Sequence, residues 1–292
     1  MRITQSETYR NFLSDIENLN EALNRYSRQV SSGKSLTRLT DSPAASAEIL
    51  SLSDQALEID QYQSNLDTGS FFLKTADSTL NEVHNLVTSI YALGSQATTV
   101  GIGDEGRAVL ATEIRALRDQ IFSLAGTQVR GRYIFSGTDV LTAPFAMNGD
   151  SATYAGNNDV NRIAVDDGLE VPEGVSGAEA FGSVFAAIHT LLTAMDANDT
   201  SSIQTALKEF TSALSALGQA RGRIGSSLSQ LEKVASSLDS REINLKERRS
   251  KLEDADLAAA VVQMNQSQNA LETALSAGGS ILTQRNLFDI LG

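Results

Sequence analysis

The sequence contains no cysteine and only two histidines, His84 and His189. Without cysteine the chain can form no disulfide, no thiolate nucleophile and no cysteine-ligated zinc site. Neither histidine has a second histidine near it, and we interpret both as surface or seam-edge residues, because zinc usually takes three or four protein ligands. The sequence therefore predicts no catalytic residue, no cofactor-binding residue and no metal site.

Long apolar runs and an excess of basic residues are also missing. No stretch approaches the ~20 continuous apolar residues that a membrane-spanning helix needs. The first twenty residues are polar and lack the apolar segment of a signal peptide. The formal net charge of -13 repels phosphate backbones. We therefore expect no membrane and no nucleic-acid partner, and any secretion should occur without a cleaved signal peptide.

Proline is scarce, with three residues at Pro43, Pro144 and Pro172. The stretches 44–143 and 173–292 can therefore hold long helices without kinks. Apolar residues repeat at steps of three and four along both stretches and near both chain ends, which is typical of helices with a coiled-coil seam. The stripes at the two ends, which we expect to form an assembly interface, comprise Phe12, Ile16, Leu19, Leu23, Tyr26 and Val30, and then Leu257, Val261, Met264, Leu271, Leu275 and Leu282.

The seam of the long C-terminal stretch changes phase between Leu252 and Leu257, a step of five residues. Such a slip indicates a bend or a change of packing partner. We expect a mainly α fold, in which long helices from both chain ends form a nested, coiled-coil-like bundle around a small β-rich inserted domain. The predicted domains are 1–42 plus 254–292 (terminal helical assembly domain), 43–140 plus 180–253 (helical bundle), and 141–179 (small β-rich outer domain).

The β-rich prediction rests on residues 131–182, where glycine is frequent and helical periodicity disappears. Apolar and polar residues alternate on both sides of Asp166-Asp167-Gly168, which predicts a β-hairpin with an Asp-Gly turn. Two motifs resemble ligand-binding loops, one for a dinucleotide and one for calcium. Gly101–Gly106 fits G-x-G-x-x-G, but a helix and not a strand precedes it, so we predict a loop. Residues 157–162 carry spaced oxygen ligands, but Arg162 stands where a calcium loop needs glycine, which favours a polar turn.

Several segments near the two ends resemble one known family. They are Ser31–Lys34 (SSGK), Asp41–Ala44 (DSPA), Thr75–Glu82 (TADSTLNE), Ser250–Asp256 (SKLEDAD) and Ser280–Asn286 (SILTQRN). In this order they resemble the bacterial flagellin family, although Ser42 and Ala45 replace an acid and a glycine of the family's D-D-P-A-G turn. Gly131–Gly137 (GRYIFSG) and Thr142–Phe145 (TAPF) are most similar to the hook-associated members that join hook to filament.

The resemblance implies a structural, self-assembling subunit of the bacterial flagellum and not an enzyme. It implies export through the flagellar type III channel to the cell exterior, with an export chaperone. It also implies a ring of identical copies between another hook-associated protein on the hook side and flagellin on the filament side. Three alternatives stay open: a filament flagellin, a secreted coiled-coil adhesin or translocator, and an enzyme housed in residues 140–180.

Overall fold

The computed structural model describes residues 2–36, 38, 40–99 and 101–283, and helices dominate it. Long helices come from both chain ends, and a small strand-containing region separates them, which confirms the predicted fold class. The helices of the described residues are α1 (Arg2–Ser32), α2 (Pro43–Ala97), α3 (Asp104–Ala125), α4 (Gly177–Asp196), α5 (Thr200–Glu253) and α6 (Leu257–Thr283).

The helix ends follow local sequence chemistry. Gly33 stops α1 with a φ of 73°, a left-handed conformation that glycine adopts without strain. Pro43 opens α2, where a missing N–H costs nothing, and the Ser42 hydroxyl accepts the Ala45 N–H at 3.4 Å. The change of seam phase coincides with the gap between α5 and α6, where Asp256 caps α6 by accepting the Ala259 N–H at 3.0 Å.

The strands between α3 and α4 form three antiparallel two-stranded hairpins. The predicted Asp-Gly hairpin is confirmed, with Gly168 at a φ of 65° in its turn. The first hairpin was not predicted, because its strands have two residues each and show no alternation. The paired strands are β1 (Gln128–Val129) with β2 (Arg132–Tyr133), β3 (Phe145–Asn148) with β4 (Ser151–Tyr154), and β5 (Arg162–Asp166) with β6 (Leu169–Pro172).

The chain divides into two compact units. Unit 1 comprises Met1–Leu57 with Arg241–Gly292, and unit 2 comprises Glu58–Ser240. The unit boundaries fall inside α2 and α5, so each of these helices contributes to both units. The three-part division expected from sequence stays a prediction.

In unit 2, α2 and α5 run antiparallel, since Arg221 pairs with Asp77 at 2.9 Å and Gln63 Nε2 donates to Asp239 at 3.3 Å. The seam predicted on α2 is buried throughout unit 2. Gly94 lies at a close approach to two other helices, where an added Cβ would stand 2.9 Å from a Leu207 methyl group and 3.1 Å from one of Leu191. The buried seam residues of α2 are Leu66, Gly69, Leu73, Ala76, Leu80, Val83, Val87, Ile90, Gly94 and Ala97.

An aromatic cluster ties the strand region to α4. The Phe145 ring on β3 lies 4.9 Å from Phe185 and 5.9 Å from Phe181, both on α4. Phe135 is fully buried and contacts Phe181 edge-on at 4.9 Å. Edge-to-face pairs of this kind stabilise beyond the area that they bury. The GRYIFSG segment, which contains Phe135, is therefore part of the core of unit 2.

Helix α4 is long and apolar enough to cross a membrane by length and composition, but 56% of its apolar window is buried inside the protein. Its buried residues include Phe181, Val184, Ile188 and Leu191. A helix whose apolar side already packs in a core needs no lipid, and we interpret α4 as the central core helix of unit 2.

Candidate assembly interface

Helices α1 and α6 pack against each other in unit 1, so the structure brings the two chain ends together. The predicted stripe of α1 lies on one face, and every member is half-buried: Phe12, Ile16, Leu19, Leu23, Tyr26 and Val30. Gly278 of α6 is buried directly against the Phe12 ring. The α1–α6 pair therefore covers each stripe only in part.

The inward face of α6 differs from the stripe drawn from its large side chains. Met264 and Leu271 are half-buried as part of this face, whereas Leu257, Val261 and Leu275 are 49%, 37% and 54% exposed. The side chain of Leu282 lies outside the described residues. Small residues that sequence reasoning missed complete the inward face, which consists of Ala260, Met264, Ser267, Leu271, Ala274 and Gly278.

A repeat of small residues at every seventh position of α6 could have identified this face from the sequence. Ala260, Ser267 and Ala274 recur at steps of seven, each one residue before a larger side chain. Small residues let two helices approach closely, while the larger neighbours are turned to the edge of the pair. We call the three apolar residues Leu257, Val261 and Leu275, which remain exposed on α6, the α6 edge.

Exposed large apolar side chains concentrate in unit 1, although it is the smaller unit. Scattered exposed apolar residues are ordinary on protein surfaces, but their greater number in unit 1 makes this unit the candidate for an interaction surface. Those of unit 1 are Tyr9, Leu13, Leu50, Leu57, Ile243, Leu257, Val261, Val262 and Leu275, and those of unit 2 are Phe71, Tyr91, Val109 and Leu141.

A backbone and side-chain contact joins the residues after α1 to the α5–α6 junction. The Ser35 N–H donates to the Glu253 carbonyl at 2.7 Å, and the Ala255 N–H donates to the Gly33 carbonyl at 2.9 Å. The Lys34 ammonium pairs with the Glu253 carboxylate. Hydrogen bonds from Lys34 and then Arg249 lower the pKa of Glu253, against the opposing effect of burial. This contact holds the residues that follow α1 against the residues that precede α6.

The densest ion-pair cluster of the described residues lies in unit 2 and is structural. Asp150, in the β3–β4 turn, accepts from Arg115 at 3.2 Å and pairs with Arg118, whose side chain is only 8% exposed. Arg115 also reaches Asp196 at the end of α4, at 2.7 Å. The hydrogen bond from Arg115 is the largest cause of the lowered pKa of Asp150. The cluster fastens the hairpin to α3 and α4.

The two motifs that resemble ligand-binding loops have local structural roles. Asn157, which opens the candidate calcium loop, uses both ends of its amide on Thr138: its Oδ1 accepts the backbone N–H at 3.0 Å and its Nδ2 donates to the hydroxyl at 2.6 Å. Gly101–Gly103 lie between two helices, as predicted, whereas Asp104–Gly106 form the first turn of α3 and not a loop. Across the described residues, no group of three or more His, Asp or Glu is placed to hold a metal ion.

Two family models match most of the chain. The bacterial flagellin N-terminal helical region matches residues 3–139, and the bacterial flagellin C-terminal helical region matches residues 207–290. The chain belongs to the bacterial flagellin family. The match to the N-terminal region covers α1, α2 and α3, and the match to the C-terminal region covers most of α5 and α6. Members of this family are structural proteins of the bacterial flagellum. As a member, this chain is a component of the flagellum.

Relatives of this flagellin-family chain extend along nearly all of its length. Flagellar hook-associated protein 3 of Escherichia coli (strain K12) is 25% identical over 305 residues, covering 95% of this chain and 96% of that protein. A flagellin of Bacillus subtilis (strain 168) is 26% identical over 298 residues, covering 98% and 96%. The two relatives therefore match the chain about equally in identity and in length.

Solved structures share the fold at lower sequence identity. A flagellar hook-associated protein from Vibrio parahaemolyticus aligns with a TM-score of 0.69 at 22% identity, covering 73% of this chain and 100% of that one. The flagellar junction protein FlgL from Legionella pneumophila aligns with a TM-score of 0.60 at 16% identity, covering 71% and 100%. At these identities the likeness establishes the flagellin-family fold alone.

Proposed function

We propose that this chain is a structural subunit at the junction between the hook and the filament of the bacterial flagellum. The near full-length similarity to flagellar hook-associated protein 3 of Escherichia coli supports the proposal. The observation that carries it over a filament flagellin is the pair of segments GRYIFSG and TAPF, which resemble hook-associated members and place Phe135 and Phe145 in the core of unit 2. In this proposal the subunit acts by assembly and performs no catalysis.

Assembly occurs through unit 1 in this proposal. The α1–α6 pair leaves the α6 edge exposed, and Tyr9 and Leu13 of α1 are 50% and 42% exposed. Burial of apolar area stabilises by about 25 cal/mol per Å². Packing of several α1–α6 pairs side by side in a ring would cover these side chains. The other residues of the two predicted stripes, among them Phe12 and Leu271, hold α1 and α6 of one copy together.

The partners follow from the position at the junction. We propose that another hook-associated protein contacts the ring on the hook side and that flagellin contacts it on the filament side. The subunit reaches this place through the flagellar type III channel, without a cleaved signal peptide and with an export chaperone. The membership in the flagellin family supports this route.

Deletion of the gene tests the proposal directly. Cells without the gene should still export flagellin, but should release it into the medium and not retain filaments on their hooks. Filaments are counted by electron microscopy, and flagellin in the medium is measured by immunoblot. Complementation with the wild-type gene should restore attachment. Cells that keep normally attached filaments after the deletion would refute the junction role.

A second candidate is a filament flagellin, favoured by the similarity to the Bacillus subtilis flagellin. The two functions differ in stoichiometry and in polymerisation. A filament subunit would be the major protein of sheared filaments, and the purified chain would polymerise alone into long filaments. A junction subunit would be a minor component that stays with the hook. Normal motility without the gene would instead favour a secreted coiled-coil adhesin or translocator.

A further inference from the structure

Three arginines surround an open groove in unit 1 that has no assigned role. Arg25 and Arg28 lie on α1, and Arg38 lies in the loop that follows. The groove has a volume of about 450 Å³ and is mostly polar. We call it the arginine groove, and its lining residues are Asn18, Glu21, Ala22, Asn24, Arg25, Arg28, Arg38 and Asp41.

The guanidinium groups of the arginine groove are largely unused. Arg25 donates to the Tyr26 hydroxyl at 3.1 Å and lies over that ring. Within the described ranges, the side chains of Arg28 and Arg38 have no ion-pair partner, and all three arginines are exposed. The backbone N–H of Arg38 donates to the Asp41 carboxylate at 2.9 Å, a bond within the loop between α1 and α2. The lining carries three positive and two negative side chains, in a chain of net charge -13.

The charge of the chain is divided unequally between its units. Acidic residues outnumber basic ones two to one in unit 2, whereas the two are nearly balanced in unit 1. Unit 2 exposes carboxylates such as Glu105, Glu113 and Glu209, which have no ion pair among the described residues. Arginine is suited to such groups, because its planar guanidinium can donate two parallel hydrogen bonds to one carboxylate.

We propose that the arginine groove receives acidic side chains from unit 2 of a second copy of this chain. The inference rests on the proposed function, because a ring places the same acidic surface beside every copy. The contact is heterologous, since a groove on one copy meets a different surface on the next, and such contacts generate closed rings or helical arrays. The open, polar groove suits side chains of a protein surface better than an enclosed small molecule.

Charge recognition complements the apolar α6 edge. Apolar burial is non-directional, whereas paired charges fix register and disfavour wrong partners. In this proposal the α6 edge supplies cohesion between copies, and Arg25, Arg28 and Arg38 set which surface of the neighbour is accepted.

Photocrosslinking in cells tests the proposal. Cells without the chromosomal gene carry two differently tagged copies, and Asn24 of one copy is replaced by photoreactive p-benzoylphenylalanine. Irradiation should give a covalent dimer that contains both tags, with the crosslinked peptide in residues 58–240. Asn20, which is exposed on α1 outside the groove, is the control position. Crosslinks to a different protein, to residues 1–57 or 241–292, or to no second copy would each overturn the proposal.

A matched charge reversal tests the role of the guanidinium groups. Arg28→Glu should lower the yield of crosslinked dimer about tenfold, as expected for the loss of a close interfacial charge pair. Arg10→Glu makes the same charge change on the same helix outside the groove and should leave the yield within about twofold. Circular dichroism verifies that both variants keep their helices. Equal yields from the two variants would contradict carboxylate recognition.

The outcomes separate the inference from the proposed function. Filaments that stay attached after gene deletion refute the junction role itself. Filaments that depend on the gene, with no dimer from position 24, leave the junction role standing and refute the groove contact alone.

Discussion

Gly278 and Gly279 are neighbours on α6 with opposite surroundings. A Cβ on Gly278 would overlap the Phe12 ring, whereas a Cβ on Gly279 would meet nothing within 4 Å. Both substitutions to alanine raise helix propensity, so Gly279→Ala should stabilise α6 by roughly 0.5–1 kcal/mol. Gly278→Ala should instead push α1 away and lower the stability of the α1–α6 pair. Hydrogen exchange of the α1 amides in the two purified variants measures the difference.

The Phe12 ring also supplies the control for this prediction. Phe12→Ala removes the group that the new methyl would meet, so Gly278→Ala should cost less in that background. Equal α1 protection in the Gly278→Ala and Gly279→Ala variants would contradict the packing described for these two helices.

Asp150 is the residue on which the ion-pair cluster of unit 2 depends. Asp150→Asn would remove one of the two carboxylates that pair with Arg118, whose side chain is 8% exposed, and leave it only the exposed Asp119. Removing one partner of such a pair is destabilising, and we expect a loss of about 1–3 kcal/mol in the free energy of unfolding at pH 7. Urea unfolding followed by circular dichroism measures this loss, and Asp167→Asn, at an exposed turn residue, is the control.

The pH dependence of the Asp150 effect has a defined sign. Because Arg115 lowers the pKa of Asp150 below its ordinary value of 3.8, the unfolded chain takes up the proton more readily than the folded chain. The stabilisation is therefore complete above about pH 4 and is lost as the pH falls through the folded pKa. The stability difference between wild type and Asp150→Asn should shrink at pH 3. A difference that grows at pH 3 would exclude the charge mechanism.

At the scale of the helix, hydrophobic periodicity predicts that a helix is present better than it predicts which of its side chains are buried. The fully buried residues of α5 in unit 2 include Ile203, Phe210 and Leu217 with Ala206 and Ala213, whereas the larger Leu207 and Leu214 are half-buried beside them. The inward face of α6 likewise contains small residues, namely Ala260, Ser267 and Ala274. Apolarity alone ranks leucine above alanine, whereas close packing of two helices favours the smaller side chain at the point of contact.

The strand region shows which local signals are sufficient. The β5–β6 hairpin could be predicted because an Asp-Gly turn lies between alternating strands. The two-residue strands of the β1–β2 hairpin are too short for a pattern, and their turn depends on Arg130 and Gly131 at φ values of 52° and 77°. The Asp150 cluster joins residues from three elements, so no local pattern could have predicted it.

The α6 edge allows assembly to be separated from folding. Leu275 is 54% exposed, so Leu275→Glu should change the stability of the free chain by less than about 0.5 kcal/mol. In the proposed ring the new carboxylate would be buried without a partner, which costs several kcal/mol per copy. We expect exported, folded protein and shed filaments. Thermal melting and filament counts are measured in parallel.

Leu141→Glu is the matched control for the α6 edge. Leu141 is 80% exposed in the strand region of unit 2, and the same substitution there should leave filaments attached. If the Leu275 variant also retains its filaments, the α6 edge does not contact neighbouring copies.

At the scale of the whole molecule, the buried apolar side chains are distributed very unevenly. Among the described residues, those of unit 1 are Leu52 and Ala260, and all the others belong to unit 2. A unit with so little buried area opens more readily. In the free chain, amides of α1 and α6 should exchange at least about a hundredfold faster than those of α2 near Val87. Equal protection at Leu19, Leu271 and Val87 would refute this difference.

The contact between Lys34 and Glu253 joins residues 219 positions apart. Closing so long a loop in an unfolded chain carries a length-dependent entropy cost of about 5 kcal/mol. Folding of unit 2 reduces this cost, because Gln63 and Asp239 then already lie side by side. The order of folding is therefore set by topology, with unit 2 first and the α1–α6 pair last. Since α6 follows the whole of unit 2 in the sequence, a chain truncated before α6 could fold its core and yet never complete the surface that the proposed ring requires.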